Sequence, residues 1–232
     1  MVCGGYNGSE TATTEVFNAA TGLWGTVDPM TTAREGQCLE PLSNGLILAA
    51  GGYDNDGNTL VQSELYNPGT GVWTAAGDMT WNRAATSMVA IGFGQHIIVG
   101  GLVSSTDAQN NLSYSSIPYC EIFNEATSTW TDALTMNVSR GLHAALPLSS
   151  TVVIAIAGYD DTGSDATSEL FTHPPQALPP PGGSPSQSSP STSSSGGGCG
   201  LGSGIAGIGL LGFVLFLRIS LMRPAKGRLR GN

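Results

Sequence analysis

The sequence predicts an all-β protein built from repeated antiparallel units, and three observations carry that expectation. A skeleton of Glu, an aromatic, Asn, Trp, Met and Arg occurs three times at unchanged offsets. Its copies are Glu15, Phe17, Asn18, Trp24, Met30 and Arg34, then Glu64, Tyr66, Asn67, Trp73, Met79 and Arg83, then Glu121, Phe123, Asn124, Trp130, Met136 and Arg140. A register this strict over twenty residues is an internal repeat. Apolar runs closing on small residues recur before each copy, as VCGGY, ILAAGGY at 47–53, IIVGG at 97–101 and AIAGY at 155–159. Short apolar and aromatic runs are divided by Gly, Asn and Pro turns, and no helical periodicity competes.

The second unit can be followed whole from Arg34. Residues 37–43 read as a strand, Ser43, Asn44 and Gly45 as a tight turn, and 46–52 as a second strand ending in paired glycines. A loop leads to a third strand at 63–66, and Asn67, Pro68, Gly69, Thr70 and Gly71 turn the chain into a fourth at 72–75. Four short strands per unit of about fifty residues is the pattern of one propeller blade. The chain begins inside such a unit, which reads as a fragment or truncated gene product; a complete protein starting mid-repeat is the alternative.

The glycine pairs Gly51–Gly52 and Gly100–Gly101, the Glu-x-Tyr/Phe-Asn of the third strand, the Trp six residues later and the Arg opening the next unit resemble Kelch repeats. The resemblance covers residues 1–173. It implies an all-β, Kelch-like β-propeller portion of about four four-stranded blades, the first and last incomplete. The fourth copy departs from the pattern. Ala157 and Gly158 replace the glycine pair, and after Glu169 and Phe171 the chain runs through His173 into Pro174 and Pro175.

The repeated residues read as scaffold. Gly51, Gly52, Gly100 and Gly101 permit close backbone approach or positive φ. Trp24, Trp73 and Trp130 supply plates to fill the space between blades, with Tyr66 and Phe123 beside them. Arg34, Arg83 and Arg140 are expected to meet hydrogen-bonding or ionic partners at the start of each blade, the repeated Glu64 and Glu121 among them.

In a four-stranded meander the loop between strands two and three emerges on the same face as the connection to the next unit. These loops are 6–14, 53–63, 102–120 and 159–168. The third is the longest and carries Tyr114 and Tyr119 among polar residues. Candidate partner contacts are Asp54, Asp56, Asp107, Asn111, Tyr114, Tyr119, Asp160 and Asp161; a tolerated insertion is the alternative for the long loop. Asp54, Asp56 and Asn58 alternate in the manner of a calcium loop. Gly57 interrupts them and no bidentate Glu follows, so solvated turn residues are the preferred reading and no cofactor is expected.

Composition narrows the function classes. All seventeen acids precede residue 170, where the only bases are Arg34, Arg83 and Arg140; three bases against seventeen acids leave a formal charge of −14. That body repels phosphate backbones, so nucleic acid is not an expected partner. Cys3, Cys38, Cys120 and Cys199 are too widely spaced for a metal or CxxC redox motif. Buried thiols are the preferred reading, with a Cys3–Cys38 disulfide as the alternative. Some propellers of this kind resemble the middle domain of the galactose-oxidase-like copper enzymes. The residues available here, His96, His143 and His173, assemble no clear ligand set, and the chain has no nucleophile elbow, zinc-helix or phosphate-loop motif.

Beyond the repeats, residues 174–200 are rich in Pro, Ser and Gly and read as a disordered linker. Residues 201–222 read as a transmembrane helix, with seventeen uncharged residues before Arg218. The basic tail, 223–232, places the C-terminus in the cytoplasm and the propeller outside; a tail-anchored protein with a cytosolic propeller is the alternative. Sequons at Asn7, Asn111 and Asn137 are then glycosylation candidates. The expected function is recognition without catalysis: a membrane-anchored module binding a protein or carbohydrate through its loops. Missing blades or a second chain are expected to close the propeller. The alternative is a truncated propeller enzyme.

Overall fold

In the structure, a computed structural model, residues 1–172 are described and no helix occurs among them. His173, the linker, the membrane span and the basic tail lie outside the described residues. Four antiparallel sheets follow one another along the chain. The first comprises β1 (Val2–Cys3), β2 (Thr14–Asn18) and β3 (Leu23–Val27). The second is β4 (Cys38–Pro41), β5 (Ile47–Ala50), β6 (Ser63–Asn67) and β7 (Val72–Ala75). The third opens with β8 (Ser87–Gly92) and β9 (Gln95–Val99). A ribbon of β10 (Leu102–Thr106) and β11 (Leu112–Ser116) follows, and β12 (Cys120–Asn124) and β13 (Thr129–Asp132) complete that sheet. The fourth has β14 (Ala144–Ser149), β15 (Val152–Ile156) and β18 (Ser168–Thr172), with a small ribbon of β16 (Tyr159–Asp160) and β17 (Gly163–Ser164). This succession of three-, four-, four- and three-stranded sheets is consistent with a β-propeller-like fold.

Alternation along each strand gives every sheet two apolar faces, one toward each neighbour. The aromatic of the third strand sits opposite the repeat Trp, in the pairs Phe17–Trp24, Tyr66–Trp73 and Phe123–Trp130, with ring centroids 5.3, 5.2 and 5.1 Å apart. Such pairs add about 0.5–1.5 kcal/mol beyond their buried area. Tyr66 and Trp73 pack with Cys3 and Met30 of the preceding sheet. Phe123 and Trp130 pack with Leu48, Leu65 and Met79. Phe171 of the fourth sheet, which has no Trp partner, packs with Ile122 and Met136. The first two junctions are also pinned by a hydrogen bond: Trp73 Nε1 donates to Thr14 Oγ1 and Trp130 Nε1 to Ser63 Oγ, both at 3.1 Å.

The repeat arginines join these layers. Arg34 donates through Nη1 to the carbonyls of Gly51 (2.8 Å) and Gln62 (2.9 Å) and through Nη2 to Glu64 (2.8 Å). Arg83 does the same with Gly100, Tyr119 and Glu121, at 2.7, 2.8 and 2.6 Å. Each glutamate also accepts two connector amides, Thr31 and Thr32 for Glu64, Thr80 and Trp81 for Glu121. Meanwhile the carbonyls of Arg34, Arg83 and Arg140 accept the amides of Gly5, Gly52 and Gly101, each on the preceding sheet. Ionic contacts form in all three copies, and in two of them the partner is the repeated glutamate. In the last, Glu169 keeps the connector amides of Asn137 and Val138, while Arg140 turns to Asp165 Oδ2 at 3.2 Å.

The glycine pair is dictated by this arrangement. Gly51 has φ of 65°, and a Cβ there would lie 2.2 Å from the Arg83 carbonyl oxygen. Ala157 holds the matching position at φ of 57°, in the left-handed region that costs a residue with a Cβ roughly 1–2 kcal/mol. Ala157→Gly is therefore expected to stabilise the chain by about 1 kcal/mol. Gly51→Ala is expected to destabilise it by more, since strain and the collision add. Urea-unfolding midpoints of the full chain in non-ionic detergent check both; equal effects at the two sites would contradict the assignment.

Candidate loop-face recognition site

The loops between second and third strands are bound to one another rather than projecting separately. The third and longest is the β10–β11 ribbon, closed by a turn in which Asp107 Oδ1 accepts the amides of Gln109 and Asn111. Across to the second loop, Ser104 Oγ accepts the Thr59 amide at 2.8 Å and Thr59 Oγ1 accepts the Ser104 amide at 3.0 Å. Tyr114 Oη donates to the Gly57 carbonyl at 2.9 Å, and its ring stands edge-on to Tyr53 at 5.3 Å. On the other side, Asp161 Oδ1 accepts from the Ser116 amide at 2.7 Å. Asn55 Oδ1 accepts the Glu10 amide, linking the first loop. Four loops thus form one hydrogen-bonded surface.

Most of the acidic candidates serve this surface as turn caps. Asp54 Oδ1 accepts the amides of Asp56 and Asn58, and Asp160 Oδ1 those of Thr162 and Gly163. Asp107 is exposed, and the Asn111 side chain and amide hold its carboxyl below the usual range; Thr162 does the same for Asp160. Asp56, Asp107, Asn111, Tyr114 and Asp161 present themselves to solvent, whereas Asp54, Asp160 and Tyr119 are half-buried. Tyr119 makes a different ring contact from Tyr114. It stacks on Trp81, with centroids 4.1 Å apart and planes 14° from parallel. Trp81 is 38% exposed and lies on the connector, which hydrogen-bonds to the second loop through Met79, Asn82 and Arg83. The repeat skeleton skips Trp81, so sequence reasoning missed it; the signal was a fourth tryptophan at a position held by Thr32 and Val138 in the other copies.

The remaining reactive groups sit elsewhere. Among the described residues, no three or more His, Cys, Asp or Glu are grouped to hold a metal ion. Cys3, Cys38 and Cys120 are free thiols, and burial pushes them up to about 11, 12 and 11. His143 is buried, with burial first and the Arg140 charge second pushing it down to about 4. His96, 3% exposed, lies at the opposite strand ends beside a cavity of about 270 Å³ lined by Pro41, Ser43, Phe93 and Glu125. Its Nδ1 is 3.1 Å from Glu40 and its Nε2 2.6 Å from Glu125, which also accepts from the Ser43 amide and hydroxyl. The cluster ties the second sheet to the third. Burial opposes a charge on His96, but the hydrogen bonds to Glu40 and Glu125 outweigh it and raise the pKa above 6.5. For Glu125, burial is outweighed by Ser43 and His96, and the pKa falls below 4.5.

No family model and no curated protein matches this chain. Among solved structures, one described as "Structure of YjhT" is similar over 68% of this chain at 14% identity and a TM-score of 0.47. The chain covers 57% of that protein. No helix among the described residues is long and apolar enough to cross a membrane.

The His96 cluster makes stability depend on pH with a defined sign. A raised histidine pKa stabilises fully below the unfolded value of 6.5, and the contribution is lost as pH rises through the folded value. Glu125 contributes above 4.5 and loses its contribution as pH falls through its lowered folded value. His143 opposes folding as pH falls from 6.5 through about 4, in wild type and variant alike. The difference in urea midpoint between wild type and His96→Gln is therefore expected to peak between 4.5 and 6.5 and to shrink at alkaline pH. A difference that grows toward alkaline pH would contradict this.

Proposed function

We propose that this chain is a membrane-anchored, Kelch-type recognition module that binds a protein or carbohydrate partner through its loop face and performs no catalysis. The residues of the Kelch-like repeat support this by what they are occupied with. Arg34, Arg83, Glu64 and Glu121 are buried in backbone and ionic contacts, and Trp73 and Trp130 fill sheet junctions, which leaves recognition to the loops. Residues 201–222 anchor the module, 174–200 give it reach, and the basic tail faces the cytoplasm. Anchoring raises the local concentration of a weak binder at a surface.

The observation that carries this reading is the Trp81–Tyr119 stack beside the bonded loops. A flat, partly exposed aromatic platform on the connector that hydrogen-bonds to the second loop is a preordered surface, so binding orders few additional side chains. Trp is also the residue most enriched among those that dominate binding energy.

Full-length protein in non-ionic detergent is expected to bind members of an array of oligosaccharides and extracellular protein domains. Trp81→Ala should weaken that binding about tenfold or more, the ~1.4 kcal/mol or greater loss of a truncated aromatic anchor. Phe93→Asn, at the opposite strand ends, should leave it unchanged. Binding reduced equally by both substitutions, or by neither, would overturn the assignment.

A further inference from the structure

The two outer faces of the described sheets match one another, and this carries an inference independent of the loop face. Within the chain, every junction joins two kinds of surface. The leading face of one sheet offers the aromatic of the repeat, with the repeat Trp at the first two junctions, and the trailing face of the sheet before it offers an aliphatic on the third strand and the residue that starts that strand. Trp73 meets Thr14 in this way, and Trp130 meets Ser63. The aliphatic positions are Val16, Leu65 and Ile122, each packed in a junction core.

The leading face of the first sheet carries the repeat's aromatic and Trp but is uncovered among the described residues. Trp24 is 53% exposed where Trp73 is 7% exposed, and Phe17 and Val2 are open beside it. Phe17 and Trp24 nonetheless hold the same 5.3 Å tilted pair as the interior copies, so the docking shape is already formed. The fourth sheet shows the converse. Leu170, in register with Leu65 and Ile122, is 62% exposed, with Leu146, Leu148 and Ile156 open around it. Ser168 stands at the position of Thr14 and Ser63, and it too is exposed. A tryptophan donor is thus present on one end and its hydroxyl acceptor on the other.

We propose that two copies of this chain associate head to tail, the first sheet of one packing on the fourth sheet of the other. Trp24 of one copy then donates to Ser168 of the second, as Trp73 donates to Thr14. The contact is heterologous, one face meeting a different face, so each copy has both a donor end and an acceptor end. A second copy is the occupant whose surface already carries both halves of a junction used inside the chain. Its apolar contact removes two exposed patches, which otherwise invite irregular association.

Sedimentation and light scattering of the full chain in non-ionic detergent test this. Wild type is expected to be a dimer or larger, and Trp24→Asp alone or Leu170→Asp alone should each reduce it to monomer. Ser168→Arg, at another exposed position, provides a second variant of the acceptor end, and circular dichroism checks that each remains folded. The decisive arm mixes Trp24→Asp with Leu170→Asp. A head-to-tail contact leaves one intact junction between the two variants, so a dimer should reappear. A monomeric wild type, an assembly insensitive to the substitutions, or a mixture that stays monomeric would each overturn the proposal.

Discussion

The rest of the structure depends on a buried arginine that serves two sheets at once, through its guanidinium on one and its backbone carbonyl on the other. Arg83 is fully buried, and an uncompensated charge there would cost several kcal/mol. Glu121 answers the charge, and three backbone carbonyls accept as well, Gly100 and Tyr119 from Nη1 and Trp81 from Nε. The Arg83 carbonyl then accepts the Gly52 amide from the preceding sheet. The spacing of neighbouring sheets is therefore set by hydrogen-bond lengths rather than by apolar packing alone. The glycine pair follows from it, because no Cβ fits beside that carbonyl. So does the tryptophan, which fills the gap that the spacing leaves.

Departures from this arrangement coincide with weakening at the end of the chain's repeat series. Arg140 has Asp165 and Thr167 in place of the glutamate, and its Nε has no partner among the described residues. Glu169 remains in place but serves only connector amides and the Asn137 side chain. Ala157 carries the left-handed backbone that glycine carries in the earlier copies. The fourth sheet is thus held by the same kinds of bond with a poorer set of residues, and its outer face lacks a packed neighbour among the described residues.

Much of this fold was legible because the repeat is strict. Turn residues placed the strands of the second sheet to within a residue or two, and β7 begins and ends where the sequence put it. The pairing of the repeat arginines with Glu64 and Glu121 was also anticipated, since three bases in a body of seventeen acids have few other uses. The loop face was less legible. Residues 102–116 are polar on both faces of a ribbon, so period-two patterning is weak there. For Asp54, Asp107 and Asp160 the sequence could not separate a turn cap from a ligand contact, because both use the same residue type. Trp81 was invisible to a reading organised by repeat positions. Neither was there any signal for the His96 cluster, whose members come from three separate strands' ends and meet only after the second and third sheets pack.

The central claim is that the Arg–Glu pair acts as one unit holding neighbouring sheets in place. A double-mutant cycle on the full chain, with Arg83→Met, Glu121→Gln and the two combined, measures this most directly. Each single substitution should cost about 3–5 kcal/mol, because each leaves a buried group without its partner. The combined substitution should cost well under their sum, giving a coupling of about 2 kcal/mol or more. Additive costs, with a coupling within about 0.5 kcal/mol of zero, would show that the two residues stabilise the sheets independently and would contradict the account.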